Sequence, residues 1–206
     1  MAKADYLGQI HLALGNEARA VEAYEQLLQL NSANLDTYKK IIRAKGVQLP
    51  SDITETLSEA SQGTVKTILD EYVQGFPRVN AHLRIGLRYL HGAHFVDYLE
   101  RYMRPLIIKG VPSLMMDLRE FYTNPEKVEQ IGQYLEAARA SIDQDMTLSA
   151  GDEEEQDPTV QLWLYYFLAQ HNLFQNKLAE AMDFVNLAIE HTPTLLELYT
   201  LKGKIY

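Results

Sequence analysis

The sequence predicts an all-α protein, a right-handed α-solenoid of antiparallel helix pairs, and three observations carry that prediction. Small residues recur where the two helices of a hairpin would cross closely: Ala169, Ala181 and Ala188 in the last third, Gly8 and Ala20 in the first. Large apolar residues flank them at helical spacing, as with Leu168 and Val185, or Tyr24 and Leu27. Pro193 stands where the second helix of a hairpin has to stop.

These are the positions of the tetratricopeptide repeat. With Pro193 at repeat position 32, Leu168, Ala169, Ala181 and Ala188 fall at positions 7, 8, 20 and 27, and Tyr199, Gly203 and Tyr206 at 4, 8 and 11 of the next unit. Ala4 to Ser32 gives a second match through Leu7-Gly8, Gly15, Ala20, Tyr24 and Leu27, with a tight turn at Gly15-Asn16. Ala4 and His11 depart from it, since larger aromatic residues are usual there.

The middle of the chain is read from its breakers. The positions of Ser32, Pro77, Pro112 and Pro193 place repeats at about 1–34, 35–78, 79–112, 113–146 and 162–194, with a partial unit at 195–206. Extra length falls near Gly46 to Gly63, where Ser51-Asp52 is expected to cap a short additional helix ending near Ser61. Thr64 to Gly75 then forms the second helix of repeat two, and Gly92 separates the helices of repeat three. Repeat four begins at Pro112, turns at Asn124-Pro125 and continues as a long helix to about Gln144. The segment 146–158 is acidic and poor in apolar residues, so a mobile loop is expected there, above all over Ser149 to Gln156. The count is five helix pairs and one unpaired helix, with Tyr199 and Tyr206 partly bare, as in a piece of a longer protein.

Composition narrows the function. A net charge of −9 argues against a general nucleic-acid binder, and no nucleic-acid motif is present. No apolar run reaches the length of a membrane span, and no basic-then-apolar leader opens the chain. With no cysteine there is neither disulfide nor thiolate metal site, which suits a reducing cytosol. His91-x-x-His94 lacks the further ligands of a metal centre, and Asp152 to Glu155 lacks the alternating ligands and glycine turn of a calcium loop. No phosphate loop or nucleophile elbow appears, so no catalytic residue and no cofactor is assigned.

What remains is binding along the concave wall, which positions 2, 5 and 9 of each first helix line. Trp163, Tyr166 and Gln170 take these places in the fifth repeat, and Trp163 is either a binding anchor or part of the packing. The same register gives Lys39 and Arg43, Arg84 and Arg88, then Arg119, and finally Lys204. A basic groove in an acidic protein is one reading of these cations, and ordinary solvated helix surface is the other. The lysine and asparagine pair of a chaperone-tail clamp is absent from Asp5/Gln9 and Tyr166/Gln170.

Leu162-Trp163-Leu164-Tyr165-Tyr166-Phe167-Leu168-Ala169-Gln170-His171 and Ala188 to Tyr199 closely resemble the auxiliary subunit of the N-terminal acetyltransferase A complex. Lys109-Gly110-Val111-Pro112-Ser113, Leu118, Phe121-Tyr122 and the acidic insertion are similar to the same family, over about residues 90–206. The resemblance implies a non-catalytic cytoplasmic scaffold that wraps a catalytic acetyltransferase subunit and, at full length, helps anchor it to the ribosome. The alternative is a generic repeat adaptor that takes a peptide or helix in its groove.

Overall fold

The computed structural model describes residues 2–52, 55–149 and 151–206, and among these it contains eleven α-helices, one 3-10 helix and no strand. They form two compact units, Met1–Tyr102 and Met103–Tyr206.

In the first unit, α1 (Ala2–Ala13) and α2 (Glu17–Leu30) form a hairpin around Gly15, whose φ of +73° suits a residue without a Cβ. Their close approach requires Gly8, because a Cβ there would overlap the ring of the buried Tyr24. Next, α3 (Leu35–Ala44) starts at Asn34, whose side chain accepts from the Asp36 and Thr37 amides at 3.0 and 3.4 Å. Helices α4 (Glu59–Gly75) and α5 (Ala81–Tyr89) follow, and α6 (Gly92–Ile108) begins at a glycine with positive φ. Both α4 and α3 pack against α5.

Repeat two is wider than repeat one. The edge of Tyr72 meets Tyr38 across the α3–α4 gap with ring centroids 5.7 Å apart, so aromatic rings fill the space that a glycine closes in the first hairpin. No helix begins at Ser51-Asp52 among the described residues, and Ile53 and Thr54 of the expected short helix lie outside them. Ser58 instead accepts from the Ser61 amide at 3.2 Å and starts α4 one turn before Thr64, so the extra length lengthens the second helix.

Helix α6 lies on α4 through a charged cluster. Asp70 accepts from Lys66 at 2.7 Å, Arg101 at 2.8 Å and the Tyr98 hydroxyl at 3.0 Å, while Asp97 lies 3.1 Å from Lys66. The two cations also sit over the Tyr98 ring, Arg101 at 4.8 Å and Lys66 at 5.7 Å from its centre. Burial alone would raise the Asp70 pKa, but the donors from Lys66, Arg101 and Tyr98 hold it below the usual carboxylate range. Asp70→Asn keeps the shape and removes the charge that three donors share. The expected loss is about 1–2 kcal/mol, reduced from the value of a fully buried network because the group is a third exposed. Urea unfolding with an unchanged m-value would measure it.

The second unit contains α7 (Leu114–Asp117), the 3-10 helix Arg119–Thr123, α8 (Pro125–Asp145), α9 (Thr159–Phe174), α10 (Leu178–His191) and α11 (Leu196–Ile205). The opening helix of the fourth repeat is thus broken. Pro125 occupies the first position of α8 and pushes Asn124 into extended backbone, where its side chain accepts from the Lys127 amide at 3.2 Å. The few residues between Pro112 and Asn124 are stretched into tighter turns with more rise per residue, marked by the Phe121 amide donating to the Leu118 carbonyl and the Asn124 amide to Phe121. Helices α9 and α10 form the hairpin that the alanines require, with Ala169, Ala181 and Ala188 fully buried. A latch recurs between successive repeats, once within each unit: Tyr38 donates to the Ser32 carbonyl and Tyr199 to the Pro193 carbonyl, both at 2.8 Å, joining the start of one repeat to the end of the previous one.

The acidic stretch contains no helix, but it is tied down where mobility is expected. Arg104 donates to Asp152 at 2.7 Å and to the Ser149 hydroxyl at 3.3 Å, Asp152 accepts from the Ser149 amide at 3.0 Å, and the Gln156 amide donates to the Met146 carbonyl at 2.7 Å. Charged hydrogen bonds add to the buried Leu148 in holding the stretch, an option that hydropathy does not reveal. Ala150 lies outside the described residues.

Candidate partner-binding site

The cations of the first unit sit on two neighbouring helices. Lys39 and Arg43 are one turn apart on α3, and Arg84 and Arg88 are one turn apart on α5, which packs against α3. Arg43 and Arg84 are exposed; Lys39 is part-buried and pairs with Asp36 at 3.2 Å, and Arg88 is part-buried with its guanidinium 5.9 Å from the centre of the Tyr89 ring. Arg119 is exposed at the start of the 3-10 helix rather than midway along a first helix, and its guanidinium lies 5.5 Å from the centre of Phe174.

In the fifth repeat the three candidates separate. Trp163 is part-buried and engaged within the chain: its indole lies against the backbone of Gly110, stacks on Phe167 at 6.1 Å and meets the edge of Tyr166 at 5.6 Å. Tyr166 and Gln170, one turn apart on α9, instead join Glu197, Thr200, Leu201 and Lys204 of α11 around a cleft of about 170 Å³. Burial and the nearby Glu197 carboxylate raise the Tyr166 pKa, so its hydroxyl is neutral and polar at the cleft wall. Gln170 is only 9% exposed, and its Oε1 has no hydrogen-bond partner among the described residues.

Sequence reading missed two further clusters. A cleft of about 560 Å³ between α8 and α9 is bordered by Tyr122, Glu129, Gly132, His171, Phe174 and Gln175. There Tyr122 and His171 Nδ1 are 2.6 Å apart and Gln175 lies 2.7 Å from His171 Nε2, so both ring nitrogens are engaged. Burial, and then the Lys177 ammonium, lowers the His171 pKa to about 4. In the first unit His82 is 1% exposed beside Tyr38; burial and then Arg101 lower its pKa to about 4, against a smaller opposing effect of Asp70. Both histidines are structural neutral imidazoles. No group of three or more metal-ligating side chains occurs among the described residues; the His91 amide donates to Gln62 Oε1 at 2.8 Å. No helix among them is long and apolar enough to cross a membrane.

Comparison with known proteins places this architecture. The profile of the family described as N-terminal acetyltransferase A, auxiliary subunit, matches residues 1–206. The chain is 32% identical over 200 residues to the human "N-alpha-acetyltransferase 16, NatA auxiliary subunit", covering 97% of this chain and 22% of that protein. It is 30% identical over 197 residues to the Arabidopsis thaliana "N-terminal acetyltransferase A complex auxiliary subunit NAA15", covering 93% and 21%. A chain of the solved "Structure of Naa15/Naa10 bound to HypK-THB" superposes with a TM-score of 0.75 at 26% identity, covering 96% of this chain and 27% of that one. The chain therefore spans about a fifth of the length of these curated relatives, which carry the name of auxiliary and not catalytic subunits. A tetratricopeptide-type α-solenoid whose whole length matches the profile, it belongs to the family of auxiliary subunits of the N-terminal acetyltransferase A complex.

Proposed function

We propose that this chain is part of a non-catalytic scaffold that carries the catalytic subunit of an N-terminal acetyltransferase A complex in the cytoplasm. At full length the scaffold helps hold that subunit at the ribosome for co-translational acetylation of nascent N-termini. The observation that supports this reading best is the shared fold with the Naa15/Naa10 structure over nearly the whole chain, together with sequence identity above what fold alone requires. The repeat boundaries at about 1–34, 35–78, 79–112, 113–146 and 162–194 supply the stacked first helices of such a scaffold. Lys39, Arg43, Arg84 and Arg88 then supply positive field to a partner-facing surface of the first unit, and Arg119 and Lys204 to one of the second, where Tyr166 and Gln170 line a cleft and Trp163 packs behind Tyr166.

Tagged full-length protein purified from cell extract is expected to bring down an acetyltransferase subunit. Recovery of a chaperone or trafficking partner instead would favour the generic adaptor. If the cations steer the partner, its association rate falls as salt rises, and Arg84→Glu with Arg88→Glu lowers that rate about tenfold at low salt. A rate independent of salt and of both substitutions would remove the basic wall from this account.

A further inference from the structure

The last turns of α2 and α4, both in the first unit, line a cleft of about 410 Å³, within the range of roughly 300–1,000 Å³ that suits small organic groups. Its apolar lining is the buried Leu28, the Tyr72 ring, which is 8% exposed, and the part-buried Phe76. Its charged lining is Glu25 on α2 and Glu71 on α4, both exposed.

Independent features give this cleft a single sign of charge. Lys45, which does not line it, pairs with Glu71 at 2.9 Å, whereas Glu25 has no cation partner among the described residues. The Tyr72 hydroxyl donates to Glu25 at 2.8 Å; burial, and then Glu25 itself, raise the Tyr72 pKa, so the hydroxyl keeps its proton and holds the carboxylate in place. A helix C-terminus also carries unpaired carbonyls, equivalent to about half a negative charge, and two such ends meet here. Neither α2 nor α4 has a basic residue in its last turn to offset that charge.

An occupant must therefore bring positive charge, several donors and a flat or apolar portion. Nucleic acid and phospholipid surfaces carry the wrong charge. A lysine ammonium is a compact, strongly hydrated point charge, whereas a guanidinium is planar, lies against aromatic rings and spreads five donors over separate acceptors. We infer that this cleft receives an arginine side chain of a partner polypeptide, its guanidinium donating to Glu25 and lying against the ring of Phe76. The site goes beyond the scaffold reading above and does not depend on it.

The test titrates full-length protein with Nα-acetylarginine amide, with its citrulline analogue and with spermidine, binding being read by saturation-transfer NMR and the melting temperature of each variant measured in parallel. Blocked arginine is expected to bind about tenfold more tightly than blocked citrulline, which has the same shape without the charge. Glu25→Gln is expected to weaken arginine binding about tenfold. Gly75→Leu is expected to weaken it similarly by filling the cleft, since a Cβ on Gly75 meets nothing within 4 Å. Its melting temperature holds or rises, because glycine is a poor helix former. Should Glu25→Gln fail to fold, Gly75→Leu decides alone. Equal affinity for arginine and citrulline, or wild-type affinity in the folded variants, overturns the inference. Spermidine binding that is tighter than that of blocked arginine, and is lost in the same variants, also overturns it, by making a free polyamine the occupant.

Discussion

Gly110→Ala is expected to destabilise the second unit by about 2–5 kcal/mol. Two independent costs combine. Gly110 has a φ of +61°, a conformation that costs an L-residue about 1–2 kcal/mol. A Cβ there would also overlap the Trp163 indole, and overpacking against a ring held by Phe167 and Tyr166 costs about 1–3 kcal/mol. The two costs separate in a double-mutant cycle: Trp163→Ala destabilises by itself, but it removes the overlap, so Gly110→Ala in that background costs only the backbone share. Additive effects in the cycle would show that the indole does not rest on Gly110.

Acid is the second strong perturbation. His82 and His171 titrate near 6.5 when unfolded and near 4 when folded, so between these pH values the unfolded chain binds more protons than the folded one. Stability is therefore full above pH 6.5 and falls as pH drops toward about 4, by about 3 kcal/mol for each histidine. The groups facing His82 are Arg101 and Asp70, and those facing His171 are Lys177, Tyr122 and Gln175. His82→Phe keeps a flat ring against Tyr38 and removes the titrating nitrogens; it is expected to flatten the pH dependence of unfolding of the first unit between pH 6.5 and 4. An unchanged slope would place the proton uptake elsewhere.

The parts that sequence reading reached and those it missed differ by the range of the interaction. The α9–α10 hairpin was legible because Ala169, Ala181, Ala188 and Pro193 are local requirements of a helix crossing, each satisfied by one residue type at one position. The broken helix before α8 was not, because α-helical and 3-10 hydrogen bonding of Leu114 to Thr123 is decided by the span available before Pro125 and not by propensity. The string around Lys109-Gly110 marked the family, yet the reason for its glycine is an indole 53 residues later in the chain. Sequence analysis assigned no role to His82 or His171, since a single histidine in a helix carries no mark of burial. Among the candidate residues, Tyr166, Gln170 and Lys204 border one cleft, and Trp163 takes the packing alternative that sequence analysis had kept open.

The central claim is that this solenoid carries an acetyltransferase subunit, and reconstitution tests it most directly. Full-length protein mixed with purified catalytic subunit at near-physiological salt, then separated by size with the mass measured by light scattering, is predicted to elute as one species containing both chains. Two separate peaks at every protein concentration and salt tested would contradict the account.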